Sequence, residues 1–324
     1  MTRTTFSRFA WGGLAYNLAV ILWGAYVRAT GSGAGCGNHW PLCNGDVVPR
    51  SPGVETLIEY SHRLTSGVVL LFAIALLVLS RRLFPAGHRV RLAAVLYLVI
   101  TLVEAALGAG LVLFGLVEDN DSVARAVVMS IHLGNTFLLI GSLTLTAYWG
   151  SGGAALNRPL QDPLASRIWL SLAGTTLVGM SGAIAALGDT LFPAESLVEG
   201  FRQDLSASSH FLIQLRTYHP LLAFAVSLLL LHLIARVRAE KRPQPARRFA
   251  SYLNVAVLSQ LALGALNVVL LAPVWMQLVH LLLADLLWIS LVLTCAAALA
   301  VPAPETASRR SAKPETAATL GSAA

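Results

Sequence analysis

Eight stretches of this sequence are each long and apolar enough to cross a lipid bilayer, and nothing else in it constrains the fold as much. A membrane-spanning helix needs about 20 mostly apolar residues. Segments 10–28, 62–80, 92–116, 125–148, 168–187, 213–235, 250–271 and 277–299 meet that need. Leu64 to Ser80 and Ile168 to Gly188 contain no charged residue. Charged residues are 12% of the chain, against roughly 25% in a soluble domain. This composition argues against a water-soluble enzyme, a disordered chain and a nucleic-acid binder. The first stretch follows Arg3 and Arg8 but lacks a small-residue cleavage site after a short apolar core, so it reads as a retained span.

The net charge of +7 reflects where the loops lie. With the N-terminus on the cytoplasmic side, 17 of the 23 Lys and Arg residues fall in inner segments and six in outer ones. Ten of the 16 acidic residues fall outside, and Glu104 and Asp285 lie within spans. The basic bias predicts an eight-span cell-membrane protein with both ends cytoplasmic. The tail from Val301, rich in Ala, Pro, Ser and Thr, is expected to be disordered.

The chain also repeats itself. Glu104-Ala-Ala-Leu-Gly-Ala109 resembles Gln260-Leu-Ala-Leu-Gly-Ala265 at an offset of 156, Gly24-Ala25 matches Gly182-Ala183 at 158, and His62 and His219 differ by 157. His132 and His280 differ by 148, which needs a shorter last outer loop in the second half. The fold class expected is therefore an all-α integral membrane protein, its eight transmembrane helices arranged as two tandem four-helix bundles. Residues 1–150 form the first half, 151–300 the second, and 301–324 the tail. Four spans per half give both repeats one orientation, about an axis near the membrane normal.

Four of the eight histidines, His62, His132, His219 and His280, lie near the outer ends of the even-numbered spans, one per span and two per half. A lone intramembrane histidine is ordinarily a hydrogen-bonded packing residue. Four at similar depth in a repeated bundle point further, because ionisable groups in the membrane are costly and neutral imidazole is the commonest metal ligand. Two histidines facing each other in a four-helix bundle hold a haem iron from both sides. Two per half fall short of a zinc site. Gly24, Gly67, Gly108, Gly134, Gly179 and Gly264 either let helices approach or leave room for a flat macrocycle. His39, His88, His210 and His232 read as solvated or interfacial.

Glu59 precedes His62 by three residues and shares its helix face. It is either a proton-moving carboxylate at the edge of an apolar pocket or an interfacial acid favoured by a helix N-terminus. Its counterpart in the second half is Arg216. Cys36 and Cys43 share the first outer loop, where an oxidising compartment permits a disulfide; it is a structural staple or a redox pair. Cys295 reads as an apolar packing residue.

These residues match a family. Val27-Arg-Ala-Thr-Gly-Ser-Gly33, the run from Cys36 to Trp40-Pro-Leu-Cys43, and Glu59-Tyr-Ser-His62-Arg63 resemble the haem A synthase family in its bacterial form with a cysteine pair. The resemblance implies an oxidoreductase of haem biosynthesis that converts haem O to haem A, oxidising one ring methyl to a formyl group for use in terminal oxidases. It implies that His62 and His132 bind the substrate haem, that His219 and His280 hold the iron of a haem b cofactor, and that Glu59 is catalytic. Its implied partners are the haem O substrate, haem O synthase, membrane lipid and an electron acceptor or donor. This sequence lacks the second cysteine pair of some members, and Pro220 disfavours helical geometry at His219. The main rival is a quinol-linked dihaem b-type electron carrier, which would use the same histidines without a substrate haem. A transporter is a second rival.

Overall fold

The apolar stretches are helices, and most run beyond the limits that hydropathy sets. The computed structural model describes residues 2–156 and 162–300; the tail expected to be disordered lies outside them. The helices are α1 (Arg3–Ala29), α2 (Val54–Leu83), α3 (Arg89–Leu113), α4 (Val123–Gly150), α5 (Ala165–Leu191), α6 (Leu197–Leu205), α7 (Phe211–Arg216), α8 (Tyr218–Ala239), α9 (Gln244–Val269) and α10 (Val274–Ala298). Eight spans result, with α7 and α8 acting as one. Among the described residues there is no β-strand. Leucines such as Leu71, Leu92 and Leu170 are exposed along the spans, as side chains facing hydrocarbon are. The chain is an all-helical, multi-pass membrane protein.

Polar residues at the ends account for the extra length. Thr2 and Ser122 accept hydrogen bonds from the Thr5 and Arg125 amides and so cap α1 and α4, satisfying donors that a helix start leaves free. Arg81 and Arg82 end α2, and Arg236 and Arg238 end α8, where cations favour the helix C-terminus. The start of α2 at Val54 sets His62 more than two turns inside the helix. The short amphipathic α6, between α5 and α7, has no apolar stretch to announce it.

The break expected at His219 occurs two residues earlier. The chain pauses at Thr217, between α7 and α8, and His219 is helical. Pro220 is thus in the first turn of α8, where its missing N–H costs no intrahelical bond.

Most of α4 and α10 is buried, and the other spans turn most of their surface outward. One hydrophobic core runs from Phe6 to Leu299 through both halves. Phe137 of α4 stacks on Trp288 of α10 at 5.1 Å, and the Trp288 indole donates to the Phe137 carbonyl at 2.6 Å. Gly179 lets α5 close on this pair, because a Cβ there would stand 2.6 Å from the Phe137 ring. Arg28 joins the halves by polar contacts. It leaves α1 to donate to the Ala186 carbonyl and Thr190 hydroxyl of α5, and to Gln277 of α10, at 2.7–2.8 Å.

At the opposite end of the bundle Arg242 clamps three segments. It makes two 2.6 Å bonds to Asp162 and one of 2.8 Å to Glu240, and reaches the Ala298 carbonyl. Burial alone would raise the Asp162 carboxyl, but the Arg242 bonds and the Leu164 amide hold it below its ordinary value. Glu240 is lowered in the same way, partial burial being outweighed by Arg242 and Arg236.

Candidate functional site

The four histidines singled out by their spacing line one cavity of about 1590 Å³ that spans both halves. A pocket for one drug-sized ligand holds about 300–1,000 Å³, so this one has room for more than a single such molecule. The loop closed by the cysteines forms part of its outer wall through Trp40, Pro41 and Leu42. Cys36 and Cys43 are disulfide-bonded, with Cα atoms 4.4 Å apart. The wall includes exposed apolar side chains, among them Leu102, Phe114 and Phe224.

Each histidine lies over a glycine of the preceding span. A Cβ placed on Gly24 of α1 would stand 2.8 Å from His62 of α2. On Gly182 of α5 it would be 3.1 Å from His219 of α8, and on Gly264 of α9 it would be 3.2 Å from His280 of α10. Gly108 of α3 leaves 3.7 Å to His132 of α4. The same pairing in all four places ties the sequence repeat to the site. Gly182 is the one member of this set that sequence reasoning paired with Gly24 without weighing it as a pocket residue.

The ring nitrogens differ in what they meet. His132 Nδ1 stands 3.0 Å from Glu104 Oε1, and His219 Nδ1 is 3.0 Å from the Ser181 hydroxyl. His280 Nε2 is 3.2 Å from the Gln260 amide nitrogen. Nδ1 of His62 and Nδ1 of His280 are buried without any protein partner. Uncompensated buried polar atoms are costly, and both belong to rings that line the cavity.

The residues fit a haem. The His219 and His280 rings are 6.5 Å apart between centroids and nearly perpendicular, at 85°. Neutral imidazole is a metal ligand, and two such rings on separate helices at this spacing could hold an iron between them. Three glycines keep Cβ atoms out of the space that the rings need.

Glu59 is 3% exposed and lines the same cavity. Its Oε2 accepts the Cys36 amide at 2.7 Å, while Oε1 accepts Arg63 Nε at 3.0 Å and also Arg63 Nη2. The disulfide loop and the helix carrying His62 thus meet at this carboxylate. Arg63 in turn holds the loop through the His39 and Leu42 carbonyls at 2.7 Å. Arg216, the counterpart of Glu59, also lines the cavity and pairs with Asp189 at 3.1 Å and Asp204 at 2.7 Å. The charge at this position is therefore inverted between the halves.

The other histidines do structural work. His88 and His210 cap α3 and α7 through Nδ1, and His232 accepts Arg167 Nε at 3.3 Å.

These features define a class: a polytopic helical membrane protein with two histidine pairs set into a repeated frame around a shared cavity. The chain belongs to the cytochrome oxidase assembly protein family COX15-CtaA, which it matches over residues 7–292. It is 48% identical over 295 residues to a protohaem IX farnesyltransferase of Thermus thermophilus, a match covering 90% of this chain and 48% of that protein. The chain spans about half the length of that relative. It is also 38% identical over 128 residues to a haem A synthase of Exiguobacterium sibiricum, and 39% identical over 128 residues to one of Shouchella clausii. Each of those matches covers 40% of both proteins.

Proposed function

We propose that this protein is a haem A synthase, an oxidoreductase that takes haem O as substrate and returns haem A for terminal oxidases. One observation carries the reading: four histidines, each over a glycine of the preceding helix, line a single cavity in two repeat-related pairs. His219 and His280, whose rings face each other across 6.5 Å, would hold the resident haem b. His62 and His132 hold the substrate. A bound haem supplies redox chemistry at its iron, and the protein supplies ligation, orientation and a dry pocket. The exposed apolar wall at Leu102, Phe114 and Phe224 suits entry of an isoprenoid-tailed porphyrin from the lipid. Orientation with both termini cytoplasmic, read from the loop charges, puts Glu59 and the disulfide on the outer side.

Converting a methyl to a formyl group, R–CH3 + H2O → R–CHO + 4 H+ + 4 e−, takes its oxygen atom from water, passes four electrons to an external electron acceptor and releases protons. Glu59 is placed to take them, because it lies at the cavity wall one turn from His62 without being a ligand. Arg63 and the Cys36 amide keep its carboxylate in place. The relative from Thermus fits the same scheme. Its printed name describes prenyl transfer to protohaem, and this chain matches only half of it.

Co-expression with a haem O synthase, followed by haem extraction, tests the proposal. A synthase yields haem A in addition to haems b and O. The dihaem electron carrier yields haem b alone, and that result would overturn the assignment.

A further inference from the structure

The contact between His132 and Glu104 has no equivalent in the other half, although the repeat supplies the same frame there. Glu104 of α3 gathers three groups from one turn of α4. His132 Nδ1 stands 3.0 Å from Oε1, Asn135 donates to Oε2 at 2.6 Å, and the Thr136 hydroxyl donates to Oε1. At the offsets of the repeat, Glu104 becomes Gln260, Asn135 becomes Leu283, and Thr136 becomes Ala284. All three members of the cluster are replaced together, while the glycine and the histidine beside them, Gly108 with His132 and Gly264 with His280, are kept. Gln260 directs an amide nitrogen at His280 Nε2 from 3.2 Å.

We propose that Glu104 is a positioning residue that sets the electronic character of the N-terminal haem site through His132. The proposal rests on the haem reading above. An ionised carboxylate only accepts hydrogen bonds, so Glu104 holds the proton of His132 on Nδ1 and leaves the Nε2 lone pair for iron. A carboxylate on the far nitrogen of a metal-bound imidazole fixes its tautomer and raises its basicity. A more basic ligand favours ferric over ferrous iron and lowers the reduction potential of that site. Asn135 and Thr136 hold the carboxylate at a membrane depth where it is otherwise expensive. At His280 no carboxylate takes this place: Gln260 meets Nε2 rather than Nδ1, and Nδ1 has no protein partner, so the C-terminal haem has the higher potential. The two sites thus form an electron gradient from the substrate toward the resident haem.

The test is a potentiometric titration of purified protein loaded with hemin, followed by absorbance, with a His62→Ala variant identifying the N-terminal wave. In Glu104→Gln the N-terminal midpoint should rise and the C-terminal one stay fixed. A 10–100-fold change in relative ligand affinity corresponds to about 60–120 mV for a one-electron couple. Thr136→Ala, which removes a donor to the oxygen of Glu104 that faces His132, should also shift the N-terminal midpoint and leave the C-terminal one fixed, and it keeps the proposal testable if Glu104→Gln does not fold. Unchanged midpoints in either folded variant, or equal shifts of both waves, would overturn the proposal. Failure of the wild-type protein to take up two hemins would instead strike the haem reading itself, and the proposal with it.

Discussion

Gly24→Ala puts a single methyl group between α1 and the His62 ring. The new Cβ would stand 2.8 Å from His62 Cε1 and 3.0 Å from Nε2. Carbon atoms pack at about 3.5–4.0 Å, so the ring must retreat by more than about 0.5 Å. Metal sites tolerate only about 0.2 Å in ligand distance. In the ligand-free protein the imidazole can swing into the cavity, and folding is little affected. Once the ring is tied to iron that escape closes, and overpacking of about 1–3 kcal/mol falls on binding. That converts to a loss of about 5- to 150-fold in hemin affinity at the N-terminal site. Gly12→Ala is the control. It lies on the same helix, and a Cβ there meets nothing within 4 Å. Gly182→Ala and Gly264→Ala, at 3.1 and 3.2 Å from their histidines, should show smaller losses at the C-terminal site. The assay is hemin titration of each purified variant, with thermal unfolding measured alongside. Equal affinities for Gly24→Ala and Gly12→Ala would refute the cradle argument, as would a loss of stability in Gly24→Ala equal to its loss of binding.

Glu59→Gln should leave hemin binding near normal and cut haem A formation by about 10²–10⁴-fold, measured as product per mole of folded protein; near wild-type conversion would remove Glu59 from the chemistry. Both Glu59 oxygens accept hydrogen bonds, so the amide loses one acceptor and should also cost about 1–3 kcal/mol of stability, visible in the melting temperature. His219→Ala and His280→Ala should each lose the tightly bound haem, read from the reduced spectrum, whereas His232→Ala should keep it. Asp162 and Glu240 are held below their ordinary values, so the stabilisation they give is full above about pH 4.3 and lost as the pH falls through their lowered values. Thermal unfolding across the acid range should therefore show a steeper decline in wild type than in Arg242→Leu, and matching curves would show the clamp to be idle.

The spans, the four histidines and the cysteine pair were legible because each is a local signal. Twenty apolar residues need no partner to be recognised, and Cys36 and Cys43 close a short loop. Glu104 was visible only as a costly charge within a span, since its partner His132 is on another helix and periodicity does not say which helices touch. The repeat did carry a usable signal: Glu104 and Gly108 are four residues apart on one face, as are Gln260 and Gly264. Arg28 was hidden for a different reason. At the outer end of α1 it counted as a loop charge, yet it bonds to α5 and α10. The start of α2 was misplaced because residues 54–61 are too polar for a hydropathy window but continue the helix of His62.

What the two halves share and what they do not share argues for an enzyme over a simple carrier. A protein that only passes electrons between two haems needs two ligand pairs and a frame, and this frame is repeated faithfully in its histidines and glycines. Three differences lie on the cavity wall: Glu59 against Arg216, Glu104 against Gln260, and Thr136 against Ala284. In the N-terminal half each added acid comes with donors that keep it in place: Arg63 and the Cys36 amide for Glu59, Asn135 and Thr136 for Glu104. Carboxylates at membrane depth are costly, and two of them supported in this way beside one histidine pair point to a half that handles protons. The C-terminal half has neither acid at the equivalent positions and needs neither if its haem stays in place and only exchanges electrons.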